Sequence, residues 1–245
     1  MKKRIPDFRH MPFSRLIVEA EELSEARNIY AGKPARLRRD AADYEYHSGI
    51  AAEIAGRTPL LSDVIQTGRW PGAVFALAID PSYAPAVLTV GSYEYLYNRK
   101  GEAMKHFLAL TNFPEDTEDL AVMIDKSGNF LLDHKDYKNA LTLYEAAVCK
   151  FPKTAIFYIG LSYCLLKKGK MDESILAAER AVALEPENHM ALSDLGWCLA
   201  EAGRHDEALQ ILEKAISLSP PDYDLSRGNL QELKSRMAKE RTEPG

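Results

Sequence analysis

The chain has 245 residues, 46% of them hydrophobic and 27% charged, with a net charge of −5 at pH 7. That length can bury a sizeable core, and no apolar run is long enough to span a bilayer, so no membrane partner is expected. Three cysteines without a C-x-x-C spacing, and no charged-apolar-small leader, exclude a disulfide framework and point to a reduced, cytoplasmic protein.

Residues 1–57 are predicted to be an N-terminal helical segment, a degenerate repeat or a separate helical hairpin, with a cap that shields the first true repeat the preferred reading. Residues 13–30 place Phe13, Leu16, Ile17, Ala20, Leu23 and Ile29 at helical spacing. A second helix is expected over 35–55, after the A-G-K-P of 31–34. Charge is uneven here, with ten Lys/Arg against six Asp/Glu in residues 1–40. Lys2, Lys3, Arg4, Arg36, Arg38 and Arg39 are candidates to contact nucleic acid or an acidic partner. No aromatic-rich nucleic-acid motif accompanies them, so a solvated tail and helix face is the plainer reading.

Residues 58–83 look like a short, degenerate helical pair. Gly68 and Ala73 repeat the spacing of Gly203 and Ala208, and Pro81 arrives about one helical turn early. Residues 84–120 fit the next unit through Val87, Val90, Gly91, Ala103, Phe107 and Leu110. Gly91 and Gly128 are 37 residues apart, which predicts about three extra residues in the loop at 112–119.

Residues 121–154, 155–188 and 189–222 then repeat with a period of 34. Pro152, Pro186 and Pro220 share one column; Ala147, Ala181 and Ala215 another; Leu131, Leu165 and Leu199 a third. A fixed period of this size means one supersecondary unit copied along the chain. Small residues recur at Gly128, Ser162 and Gly196, where two helices must approach closely, and at Ala140, Ser174 and Ala208. Gly169 and Gly203 fall between the apolar stretches, where they can take the positive φ of a helix C-cap. Proline ends each unit because it cannot continue a helix. Residues 223–245 read as a capping helix and tail, with Leu225, Leu230, Leu233 and Met237 apolar.

The unit resembles the tetratricopeptide repeat family, most fully over L-S-D-L-G-W-C-L-A-E-A-G-R-H-D-E-A-L-Q-I-L-E-K-A-I-S-L-S-P, residues 192–220. Ser127, Lys135 and Ser174 depart from the usual Leu, turn glycine and Ala, and are expected to loosen packing locally. The resemblance implies an all-α fold, a right-handed superhelical solenoid of about five helix-turn-helix repeats with helical caps at both ends.

Chemistry is not visible. There is no H-E-x-x-H, G-x-x-x-x-G-K-[ST] or G-x-S-x-G, and the six histidines are scattered. No catalytic residue, metal site or cofactor is expected, and the chain reads as a non-enzyme. The resemblance implies instead that the first helix of each repeat lines a concave groove. The inner columns then carry Lys126 and Asn129, Ile159 and Tyr163, and Met190, Asp194 and Trp197. Tyr163 and Trp197 share a column one repeat apart, offering apolar area with a polar handle to a partner's helix or extended peptide. The Lys/Asn/Arg pattern by which some members clamp a chaperone's C-terminal carboxylate is absent, since the matching inner columns carry Val122 and Lys126, Gly160, and Met190 and Asp194. The expected role is an adaptor or scaffold that binds another protein in the groove. The alternatives are an accessory subunit of a nucleic-acid-processing complex, and a scaffold that self-associates through its ends.

Overall fold

In the computed structural model, residues 29–54 and 72–242 are described, and every regular element among them is a helix. The chain divides into two compact units, Met1–Met123 and Ile124–Gly245. No helix among the described residues is long and apolar enough to cross a membrane.

The first unit contains α1 (Ala35–Ile54), α2 (Gly72–Ile79), α3 (Ala84–Leu96) and α4 (Lys100–Leu110). Helix α2 is apolar along its whole length and buries Gly72, Ala73, Val74, Ala76, Ala78 and Ile79. They pack with Ala42 of α1 and Ala86 and Val90 of α3 into one core, closed by Tyr83. Polar ties complete it. Arg39 Nε donates to Asp80 Oδ2 at 2.8 Å, the Tyr83 hydroxyl to Asp43 Oδ1 at 2.6 Å, and the Tyr46 and Thr89 hydroxyls share a 2.9 Å hydrogen bond. The helix expected over 35–55 is therefore present as α1. The helix expected over 13–30, and the first half of the degenerate pair at 58–83, lie outside the described residues apart from Ile29 and Tyr30.

Helices α5 (Leu120–Asp133), α6 (Tyr137–Lys150), α7 (Ala155–Lys167), α8 (Met171–Leu184), α9 (His189–Glu201), α10 (His205–Leu218) and α11 (Leu225–Thr242) come next. Helices α6, α8 and α10 each end two residues before Pro152, Pro186 and Pro220. The extra length upstream is divided otherwise than expected. Helix α4 has 11 residues where α6 has 14, so the connection 111–119 is longer than the frame shift alone requires.

The tight turns are built alike. Gly169 and Gly203 have φ of 74° and 75°, and Asn98 and Lys135 take the same left-handed conformation at 61° and 56°. In each, the following N–H returns five residues. Arg99 donates to Glu94 O, Asp136 to Leu131 O, Lys170 to Leu165 O and Arg204 to Leu199 O, at 2.8–3.0 Å. These are Schellman caps, which satisfy carbonyls that would otherwise be left open at a helix end. The leucine column thus supplies both a buried side chain and the carbonyl that closes the turn. In the first unit Glu94 occupies that column, fully buried, and is ion-paired with Arg99.

Between paired helices, large side chains fill gaps left by small ones. Phe107 lies over Gly91, Tyr144 over Gly128 and Leu212 over Gly196. Ser174 does not leave the loose spot expected of it. Its buried hydroxyl donates to Ser162 O at 3.0 Å and lies 3.1 Å from Cys198 Sγ. Ser127 is likewise fully buried. Cys164 and Cys198 are buried free thiols, pushed up to about 12 by burial. At the C-terminus Leu233 is fully buried against Leu212 with Leu230 and Met237 beside it, whereas Leu225 is 59% exposed and stays out of this core.

Candidate functional site

Helices α5, α7, α9 and α11 present one face each to a groove of about 470 Å³ in the unit Ile124–Gly245. Spacing of three and four residues puts side chains on one helical face. Asp125, Asn129, Leu132 and Asp133 therefore come from α5, Ile156, Ile159, Gly160 and Tyr163 from α7, and Met190, Ser193, Asp194 and Trp197 from α9. Tyr223, Leu225 and Asn229 close the end of the groove.

Both aromatic rings are half-buried and each has a cation over it. Lys167 Nζ lies 5.0 Å from the centre of the Tyr163 ring, and Arg236 Cζ lies 5.0 Å from that of Trp197. This geometry is attractive because the ring face carries partial negative charge. Arg236 is held there by Glu201 at 2.7 Å and Glu232 at 3.0 Å.

The floor is acidic. Asp125 accepts hydrogen bonds from the Tyr144 hydroxyl at 3.0 Å and Asn129 Nδ2 at 2.9 Å, and burial still raises its carboxyl above the usual range. Asp194 is more perturbed. Burial pushes it up to about 7, against the opposing hydrogen bond from Ser162. The Ser162 hydroxyl lies between the Asp194 carboxyl and Ile159 O, the latter at 2.9 Å. Its single proton serves only one of them at a time. A protonated Asp194 could donate to Ser162 and leave that proton for Ile159, which adds to the cost of ionising the acid.

Of the groove residues read from the sequence, Tyr163, Trp197, Asn129, Ile159, Met190 and Asp194 are brought together here. Lys126 is not: it is exposed, and as the residue after Asp125 it is turned about 100° around α5, away from the lining face. Leu132, Asp133, Tyr223, Leu225 and Asn229 were missed. Asp133 continues the four-residue spacing of Asp125 and Asn129 and could have been found that way. Leu225 was assigned to an apolar cap, and nothing in the cap's own pattern separates it from Leu230 and Leu233.

Of the basic N-terminal candidates, Arg36, Arg38 and Arg39 lie at the start of α1. Arg39 is committed to Asp80, with Ser82 O also within reach at 3.3 Å. Arg36 is exposed and Arg38 half-buried, and Lys2, Lys3 and Arg4 lie outside the described residues.

The family model for the tetratricopeptide repeat matches residues 127–184 and 172–223. No curated protein matches the chain. Among solved structures, a thermophilic tetratricopeptide protein of Thermus thermophilus is 19% identical over 79% of this chain and 99% of its own, with a TM-score of 0.51. MamA 41-end from Desulfovibrio magneticus RS-1 is 19% identical over 73% and 95%, with a TM-score of 0.48. The second tetratricopeptide domain of human RPAP3, solved with an HSP70 peptide, is 22% identical over 45% and 92%, with a TM-score of 0.41.

Proposed function

We propose that this chain, a tetratricopeptide repeat protein, is a non-catalytic adaptor that holds a segment of another protein in the groove of its C-terminal unit. The observation that carries the reading is the juxtaposition of Tyr163, Trp197, Ile159 and Met190 around one open cavity. Half-buried aromatic rings are held in place by their own helices, so little side-chain entropy remains to be lost on binding. Each offers area to an apolar partner and a hydrogen-bonding tip, the profile of an interface anchor. Ile156 and Ile159 supply an aliphatic wall, and Asn129 and Ser193 supply polar groups that can fix a partner's register.

The nucleic-acid alternative has less support, because Arg39 already neutralises Asp80 and the groove walls carry carboxylates. Carboxylates repel a phosphate backbone, whose attraction to proteins depends on cations.

The test is affinity capture from the native cell with the intact protein and with two variants. Met190→Lys changes a residue that is 41% exposed and should leave the fold unchanged. Tyr163→Ala with Trp197→Ala removes both anchors. Loss of the same partner in both variants, with the Met190→Lys melt unchanged, is the expected result. Full capture by a folded double variant would place the interaction elsewhere.

A further inference from the structure

The groove is charged with one sign. Asp125, Asp133 and Asp194 line it, and among the described residues no lysine or arginine does. Of the two cations that border it over the aromatic rings, Arg236 is spent on Glu201 and Glu232, and Lys167 lies over Tyr163. We propose that the occupant is a protein segment in which a lysine or arginine lies beside aliphatic side chains, an inference that rests on the groove being the partner site.

Two features converge on this chemistry. Asp194 is half-buried and its hydrogen-bond partner is the Ser162 hydroxyl, a neutral group. A desolvated carboxylate beside a neutral donor gains far more from an incoming cation than an exposed one does. In addition, Ile156, Ile159 and Leu132 provide an aliphatic track along which the methylene stem of a lysine or arginine can lie while its head reaches a carboxylate. The same floor repels a C-terminal carboxylate or an acidic peptide, and so works against the opposite class of ligand.

Synthetic peptide pools test this with the full chain. All share length and alternating Leu/Ile positions, and the remaining positions carry Lys/Arg, Gln or Glu. Fluorescence polarisation is read for the wild type, for Asp133→Asn with Asp194→Asn, and for Trp197→Ala, with a thermal melt of each. The basic pool is expected to bind about tenfold tighter than the Gln pool. The double Asn variant should lose that preference and keep its affinity for the Gln pool, while Trp197→Ala weakens binding of every pool that binds the wild type. A Glu pool that binds tightest, or a basic preference that survives the Asn substitutions in a folded protein, overturns the charge assignment and leaves the groove reading standing. Absence of binding by all pools, or binding indifferent to Trp197→Ala, overturns the groove reading and the charge assignment with it.

Discussion

The hydroxyl of Tyr144, on α6, donates to Asp125 Oδ1, on α5, at 3.0 Å, and the ring that carries it is wedged between Gly128 and Gly160. One side chain thereby ties two adjacent repeats together and orients a carboxylate of the groove floor. The glycines are required by space, not by backbone conformation. A Cβ at Gly128 would sit 2.3 Å from the ring and one at Gly160 2.1 Å from it.

Gly160→Ala should therefore destabilise the protein by roughly 1–3 kcal/mol through overpacking, despite the gain in helix propensity. The ring cannot swing aside, because Tyr144 is fully buried. Combining Gly160→Ala with Tyr144→Leu, the residue that Leu212 already provides at the equivalent position, should cost less than the sum of the two single changes. Urea unfolding of the three variants measures the coupling; simple additivity would show that glycine and ring are not in conflict.

Lys135 occupies the turn position that Gly169 and Gly203 hold in the next repeats, at φ 56°. A side chain with a Cβ is strained there, by about 1 kcal/mol. Lys135→Gly should raise stability by up to that amount, and Gly203→Ala should lower it by a similar amount. Opposite signs in paired chemical-denaturation curves are the expected outcome.

Stability should also depend on pH through Asp194. Its folded carboxyl is pushed up to about 7, above the ordinary 3.8 that it regains on unfolding. Between those values the folded state keeps a proton that the unfolded state has released. The contribution is fully present below about pH 4 and is lost as pH rises through about 7, at a limiting slope of about 1.4 kcal/mol per pH unit. Asp125, also raised by burial, acts in the same direction, while His106, lowered by burial, acts in the opposite one. Asp194→Asn should therefore be more stable than wild type at pH 8 and should flatten the profile between pH 5 and 8. Unfolding free energies of the two proteins at those two pH values decide it.

The last helix should be indispensable to the unit it closes. Leu233 is fully buried against Leu212, so removing residues 224–245 strips the cover from an apolar face. Loss of soluble monomer is expected by size-exclusion chromatography, with Leu233→Asp reproducing it in the full-length chain.

Much of this architecture was legible because the period of 34 fixes which residues share a column. The leucine, alanine and proline columns located the helix pairs, and Gly169 and Gly203 announced their turns. What the period could not reveal was how departures from it are repaired. Ser174 reads as a gap until its hydroxyl is seen to reach Ser162 O. Glu94 in a leucine column makes sense only with Arg99 at its side. Lys135 takes a glycine's conformation with no signal in its identity. The groove was legible where face and spacing agree, as for Tyr163 and Trp197. It was misread at Lys126, one residue off the lining face, and at Leu225, whose position depends on where α11 begins. Of the acids on the floor, Asp125 and Asp194 stand in inner columns of the repeat, and only Asp133, about two turns after Asp125 along α5, was missed.

The central claim, that a partner segment lies in the groove, is tested most directly by photo-crosslinking in the native cell. A benzophenone side chain placed at Met190 projects from the groove, and one at Leu176, 64% exposed on α8 and not among the groove residues, serves as the comparison. A discrete adduct with one protein from position 190 and none from position 176 is the predicted result. The same adduct from position 176, with position 190 silent, would contradict it.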